Sequence, residues 1–262
     1  MDWYVGTMGF AYEPWRNGVF YPAGMAQRQF LGYYSQRFNA VEMDSTFYGV
    51  PAAEVVQKWA AATTPDFKVS PKTPREITHD QRLGDSLEAM LAFLATMRLL
   101  GDKLGAILIQ FPPDFTVGAA DRVDRFLGQL PADLRYAVEF RHRSWDDPAT
   151  ADMLAAHNAA WVMADYIHMP ARLSYRTTDF FYLRFIGPHG QFPSKDRELV
   201  DKTAVLQDWH AQLQAHQGAA RTVYAYFNND YAGYSPATAN KFKHIAGIEA
   251  AEIRPYQQGR LF

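Results

Sequence analysis

The chain has 262 residues, of which 48% are hydrophobic, 15% aromatic and 21% charged, with no cysteine and a formal net charge of −2. A chain this long buries roughly 75% of its unfolded surface, so a core forms without disulfides; the missing Cys excludes a thiolate nucleophile and a sulfur-based zinc site. Near-balanced charge argues against a surface coated for nucleic acid or anionic lipid.

At the N-terminus Asp2 follows Met1 directly and the apolar stretch Trp3–Val5 stops at Gly6, unlike an export signal. The apolar run Gly105–Phe111 has only seven residues and contains Gln110, far short of a membrane span. A soluble cytoplasmic protein without a membrane partner is expected.

Along the chain, runs rich in β-branched and aromatic residues predict strands over Trp3–Thr7, Ala40–Asp44, Phe67–Ser70, Gly105–Phe111, Tyr136–Phe140, Ala160–Asp165, Phe180–Ile186 and Thr222–Asn228. Helix periodicity falls between them, over Ala26–Phe38, Ala53–Ala62, Ser86–Leu100, Ala119–Gln129, Pro148–His157, Arg197–His216 and Pro236–Ala246. In Ser86–Leu100 the residues Leu87, Met90, Leu91, Leu94, Met97 and Leu100 share one face, with Glu88 and Arg98 off it. Ser235 before Pro236 suits a helix start, while Tyr166–Asp179 reads as a loop or a short, degenerate sixth helix. Eight βα units fit a (β/α)8 TIM barrel of about 250 residues. No linker breaks the chain, so one α/β barrel domain over residues 1–262 is expected. GFAYEPW after the first strand, in place of GxGxxG, counts against a dinucleotide fold.

Barrel strands alternate between interior and helix layer, and the set carrying charge is assigned inward. That rule selects Thr7; Glu42, Asp44 and Thr46; Ser70 and Lys72; Gln110; Glu139 and Arg141; Asp165; Tyr182 and Arg184; Tyr226 and Asn228. Most stand at C-terminal strand ends, where barrel enzymes carry their chemistry. Glu42, Glu139 and Asp165 then face Lys72, Arg141 and Arg184, with Asp44 and Asp230 just above. Three acids in one partly desolvated cup repel, so at least one should have a raised pKa and act as general acid or base, Glu139 first and Glu42 second. The structural alternative is that these charges pair to fill the barrel. His142, in EFRHRSW, reads as a proton shuttle or a ligand, or as a structural hydrogen-bonding residue.

The loops after strands seven and eight carry Gly187, His189 and Gly190, then Asn228, Asn229, Asp230 and Gly233 before Ser235. This is a frequent phosphate site in barrels, and Arg184 adds charge nearby. Tyr12, Trp15, Tyr48, Trp145, Tyr226 and Tyr231 gather near the rim as a stacking wall, whereas Phe140, Phe181, Phe185 and Phe227 fall on helix-facing sets. No HxH, HExxH, acidic triplet or GxSxG occurs, so neither a metal, a cofactor nor a Ser nucleophile is expected.

The blocks GTMGFAYEPWRNGVFYP, FNAVEMDSTFYGVP, KTP, ILIQFPPDF, AVEFRHRSW and YAYFNNDYAGYSPATA together resemble the YecE-like family, a domain family of unknown function with a (β/α)8 barrel. By position the resemblance marks Glu42, Ser45, Thr46, Tyr48, Lys72, Gln110, Glu139, Arg141, His142, Trp145, Asn228, Asn229 and Asp230. A looser resemblance to endonuclease IV and to sugar isomerases implies strand-end metals, but Gln110 and Asn228 stand where such ligands would be. The leading expectation is a metal-independent acid/base hydrolase, lyase or isomerase acting on a small polar, phosphorylated or carbohydrate-like substrate. A nucleic-acid-binding or -processing protein ranks second, and a non-enzymatic ligand-binding module third.

Overall fold

Every predicted strand segment is extended in the structure, a computed structural model that describes residues 1–166, 175–216, 218 and 220–251. The strands are β1 (Asp2–Met8), β2 (Ala40–Met43), β3 (Lys68–Pro71), β4 (Ile107–Gln110), β5 (Tyr136–Glu139), β6 (Ala160–Trp161), β7 (Met163–Asp165), β8 (Phe180–Phe185) and β9 (Thr222–Phe227). The sixth predicted strand is thus divided at Val162, whose N–H donates to Val138 O at 2.9 Å. All strand pairs are parallel, in one sheet ordered β3-β2-β1-β9-β8-β7 and another ordered β4-β5-β6. Between the sheets, Val69 pairs with Leu104 and Lys72 with Leu108 as isolated parallel bridges. The architecture is therefore α/β with parallel sheets.

Parallel strands need both faces covered, which explains why the strand residues are nearly all buried. One face gathers Met8, Ala40, Leu108, Ala137, Tyr182 and Tyr226 into a small inner cluster. The other packs Val41, Val138, Phe181, Phe185 and Phe227 into the main core with the helices, as expected for the phenylalanines.

The helices are α1 (Phe30–Ser35), α2 (Ala53–Ala62), α3 (Leu87–Met97), α4 (Ala120–Gly128), α5 (Pro148–Ala156), α6 (Thr203–Gln214), α7 (Asn229–Ala232) and α8 (Ser235–Ile245). α2 has the predicted bounds. In α3 the buried stripe is Met90, Phe93, Leu94 and Met97, while Leu91 stays 41% exposed, so Phe93 replaces Leu91 on the expected face. α5 starts as its residues dictate: Pro148 lies in the first turn and Asp147 Oδ1 accepts the Ala149 N–H at 2.8 Å. α6 begins six residues later than Arg197, because the preceding chain bonds elsewhere, Leu199 N–H donating to Ala232 O at 2.7 Å. α7 was expected as loop. Asn228 caps it, and Gly233, at φ 103°, ends it in a conformation glycine adopts without strain. The sixth helical segment, Tyr166–Asp179, lies largely outside the described residues, at 167–174. Among the described residues no helix is long and apolar enough to cross a membrane.

Candidate functional site

At the C-terminal strand ends the interior residues form a charged layer centred on Arg184 of β8. Its Nε donates to Glu42 Oε1 and Oε2 at 3.2 and 3.0 Å, its Nη2 to Glu42 Oε1 at 2.7 Å, and its Nη1 to Glu139 Oε2 at 2.5 Å. Arg141 Nε reaches Glu139 Oε1 at 2.7 Å, and the Tyr182 hydroxyl donates to Glu42 Oε2 at 2.7 Å. Both carboxylates are sealed from solvent, at 0% and 1% exposure. Their titrations diverge because their neighbours differ. Burial pushes Glu42 up against the opposing pull of Arg184, and Asp44 adds to the rise. Burial pushes Glu139 up as well, but Arg184 and Arg141 together overcome it and hold it at about 2. Glu139 is therefore not the raised acid expected of it; Glu42 is.

Above this layer lies a cavity of about 230 Å³. Lys72, Arg141 and Arg184 line it together with Asp44 and Asp230; Phe47, Tyr48, Tyr166 and Ile186 supply its apolar wall. Lys72 stands apart. Its Nζ lies 4.0 Å from the Phe47 ring centroid, and among the described residues no carboxylate comes within 4.0 Å of it. Burial lowers its pKa and the nearby Arg184 lowers it further. Thr46 is buried and holds the backbone of Lys72 from both sides, its Oγ1 accepting the Lys72 N–H at 3.0 Å and donating to Lys72 O at 2.6 Å. It positions Lys72 rather than facing the cavity.

A larger cavity, about 630 Å³, opens at the opposite strand ends near Tyr4, Lys68, Arg135 and Tyr224. Its Arg98 is engaged with Asp133 and its Arg135 with the Thr222 and Tyr224 hydroxyls. Charge at this end of a parallel α/β array more often serves stability, so the smaller cavity is the candidate site.

Several expected site residues lie elsewhere. Thr7 faces the helix layer, where its N–H and Oγ1 meet the Tyr34 hydroxyl at 2.8 and 2.9 Å, and Met8 takes the interior place. Asp165 likewise points away, accepting from Tyr231 OH at 2.7 Å, while Tyr166 reaches the cavity. The charge rule failed at both positions because tyrosine hydroxyls in the helix layer satisfy polar side chains there. Trp15 and Trp145 are fully buried, their Nε1 groups donating to Asn229 Oδ1 at 3.2 Å and Phe115 O at 2.7 Å. They are core anchors and not a stacking wall, and Tyr226 is likewise buried, donating to Ser70 Oγ at 2.8 Å. Tyr12 donates to Met8 O and packs on Trp15. Gln110 is turned onto Phe111 O at 2.6 Å, and His142 Nδ1 accepts the Ser144 N–H at 3.1 Å as a local cap. Of the expected aromatic rim, Tyr48 remains at the cavity, 84% exposed.

The expected phosphate loops hold an internal anion. Asp230 Oδ2 accepts the Gly190 N–H at 3.2 Å and sits 3.4 Å from His189 Nδ1, while Lys195 Nζ lies 3.2 Å from Oδ1. Asn228 Oδ1 takes the Asp230 N–H, and buried Asn229 takes both the N–H and the hydroxyl of Ser235, at 3.0 and 2.9 Å. Those donors are spent on protein oxygens, so Ser235 is not the helix cap it was expected to be. Gly187 and Asn228 still line the cavity. Phe47, Tyr166, Ile186 and Lys195 escaped the sequence reading. Counting parity from Val162 rather than from Asp165 would have found Tyr166. Among the described residues no three His, Cys, Asp or Glu side chains converge as a metal site would need.

Over residues 4–260 the chain matches the family described as protein of unknown function DUF72. It is 26% identical to the UPF0759 protein YunF of Bacillus subtilis, covering 97% of this chain and 98% of that one. It is 35% identical to the UPF0759 protein YecE of Escherichia coli over 112 residues, which is 43% of this chain and 41% of the relative. Among solved structures, it is similar to a DUF72 family protein from Thermotoga maritima (TM-score 0.79, 29% identity, 94% of this chain and 100% of that one). A DUF72 family protein from Enterococcus faecalis shares the fold (TM-score 0.75, 22% identity, 97% and 99%). With residues 4–260 matched, the chain belongs to the DUF72 family.

Proposed function

We propose that this protein is an acid/base enzyme for a small anionic substrate, working at the C-terminal mouth of a closed (β/α)8 barrel. The bridges Val69–Leu104 and Lys72–Leu108, and the Val162 N–H bond to Val138, support closure because they carry the ring across the gaps between ladders. The observation that carries the function is Lys72, an amine beside a cavity without a carboxylate partner among the described residues, next to Arg141. Asp44, Glu139 and Glu42 act on Lys72 only from beyond contact distance, so a ligand anion would add the close countercharge that this partly desolvated cup withholds. Glu139 occupies Nε of Arg141, and among the described residues no hydrogen bond engages its Nη groups, which suit a carboxylate or phosphate. Lys72 and Asp44 are the proton-transfer groups, and the Glu42–Arg184–Glu139 layer holds the cup in shape. A cavity of about 230 Å³ suits a metabolite and not a nucleic-acid strand.

Calorimetric titration with inorganic phosphate, pyruvate and dihydroxyacetone phosphate tests this reading. At least one probe should bind, and Arg141→Met should weaken it tenfold or more while Glu139 keeps Arg184 as partner. Failure of the wild type to bind any probe, or equal binding by the variant, overturns it.

A further inference from the structure

We propose that Lys72 is a nucleophile that captures the carbonyl carbon of a small oxo acid or keto-sugar phosphate as an imine, an inference that rests on the anionic-substrate reading above.

The lysines differ in what their ammonium groups meet. Lys68 donates to Asp102 O, Lys103 to Ala60 O and Thr63 O, and Lys243 to Arg37 O, while Lys195 and Lys241 pair with carboxylates. Lys72 and Lys202 instead lie against ring faces, of Phe47 and Tyr231, and of these two it is Lys72 that lines the cavity. Its backbone is fixed by Thr46 and by the bridge to Leu108, so the stem leaves β3 from a rigid point. A lysine becomes nucleophilic when it is desolvated or set beside another cation. Both conditions occur here, and burial together with Arg184 lowers its pKa against the opposing pull of Asp44, Glu139 and Glu42.

Imine chemistry also needs a proton carrier and a holder for the rest of the substrate. Asp44 lines the same cavity, and its Oδ1 is buried without a hydrogen-bond partner, 3.9 Å from Arg184 Nη2. Arg141 lines the cavity too and is the holder already assigned. Together they call for a bifunctional ligand with a carbonyl for Lys72 and an anionic group for Arg141. The neutral amine attacks the carbonyl carbon; the C–N bond forms and the π pair moves to oxygen. Asp44 relays one N–H proton to that oxygen, giving a carbinolamine. It then relays the second N–H proton as the C–O bond breaks, so the oxygen departs as water and a C=N bond remains.

The experiment incubates the full chain with pyruvate, glyoxylate or dihydroxyacetone phosphate, reduces with sodium borohydride, and maps the secondary amine by peptide mass spectrometry. Borohydride supplies the hydride that fixes the imine. Modification at Lys72 at least tenfold above Lys68 and Lys243, and absent in Lys72→Arg with an unchanged melting temperature, supports the proposal. Binding of a carbonyl probe by calorimetry without selective modification of Lys72 overturns the imine and leaves the anionic-substrate reading standing. No binding and no modification overturns both.

Discussion

Replacing Arg184 by Met removes the one guanidinium shared by two carboxylates that water does not reach. Breaking a buried pair from one side costs about 3–5 kcal/mol, since the partner charge is stranded in low dielectric. The two acids do not suffer equally. Glu139 keeps Arg141 at 2.7 Å, whereas among the described residues Glu42 keeps only the Tyr182 hydroxyl at 2.7 Å, so most of the loss falls on Glu42. At about 2–4 °C per kcal/mol for a chain of this size, the melting temperature should fall by about 6–20 °C. Glu42, already pushed up by burial, moves further up in the variant. A raised acid stabilises the fold below its unfolded pKa and loses that contribution as pH rises through the folded pKa. The deficit is therefore narrow near pH 4 and widest above neutrality. Glu42→Gln in the Arg184→Met background removes the stranded charge and should recover about 2 kcal/mol or more. Guanidinium unfolding of the four members of this cycle at acid and alkaline pH measures all of it. A loss below about 1 kcal/mol, or a double variant weaker than Arg184→Met, refutes the idea that Arg184 holds Glu42 in place and supplies its countercharge.

Three further outcomes follow from single residues. Glu139, held at about 2, stabilises the fold above its unfolded pKa and loses that stability as pH falls toward 2. In Glu139→Gln the loss of unfolding free energy between about pH 4.5 and 2 should shrink by about 3 kcal/mol, and an unchanged loss contradicts the assignment. Gly187 has φ 69°, and a Cβ there would lie 2.2 Å from Asp230 O, so Gly187→Ala should lose at least about 1–3 kcal/mol of stability, read by thermal melting. Reductive ¹³C-methylation followed by NMR titration should place the Lys72 midpoint below the ordinary lysine value of 10.5, and a midpoint at or above it removes the amine from acid/base duty.

Much of the fold was legible because its signals are local. Short runs rich in β-branched and aromatic residues marked all eight strand segments, and α2 emerged with its predicted ends at Ala53 and Ala62. Alternation with charge also turned Glu42, Lys72, Glu139 and Arg184 inward correctly. It failed at Thr7 and Asp165, where partners more than 25 residues away, Tyr34 and Tyr231, offer hydroxyls on the supposedly apolar side. α7 was hidden for a similar reason: four residues carry too little periodicity, and it stands because Asn228 caps it and Leu199 bonds its last carbonyl.

The aromatic content that stands out in the composition shows the same division. Sequence could bring Trp15 and Trp145 near the strand ends, yet only packing shows both as buried anchors donating to Asn229 and Phe115. By itself the sequence determined the βα succession and the set of charges that meet at one end, since both depend on spacing along the chain. Only the tertiary structure decided what each charge does. Glu42 and Glu139 look alike in sequence, but one gains a second guanidinium from Arg141 and the other has Asp44 as its neighbour. Lys72 is distinguished by lining the cavity against the Phe47 ring, with Arg184 nearby. Titration and reactivity follow from desolvation and from charges brought together across the fold, quantities that no stretch of sequence contains.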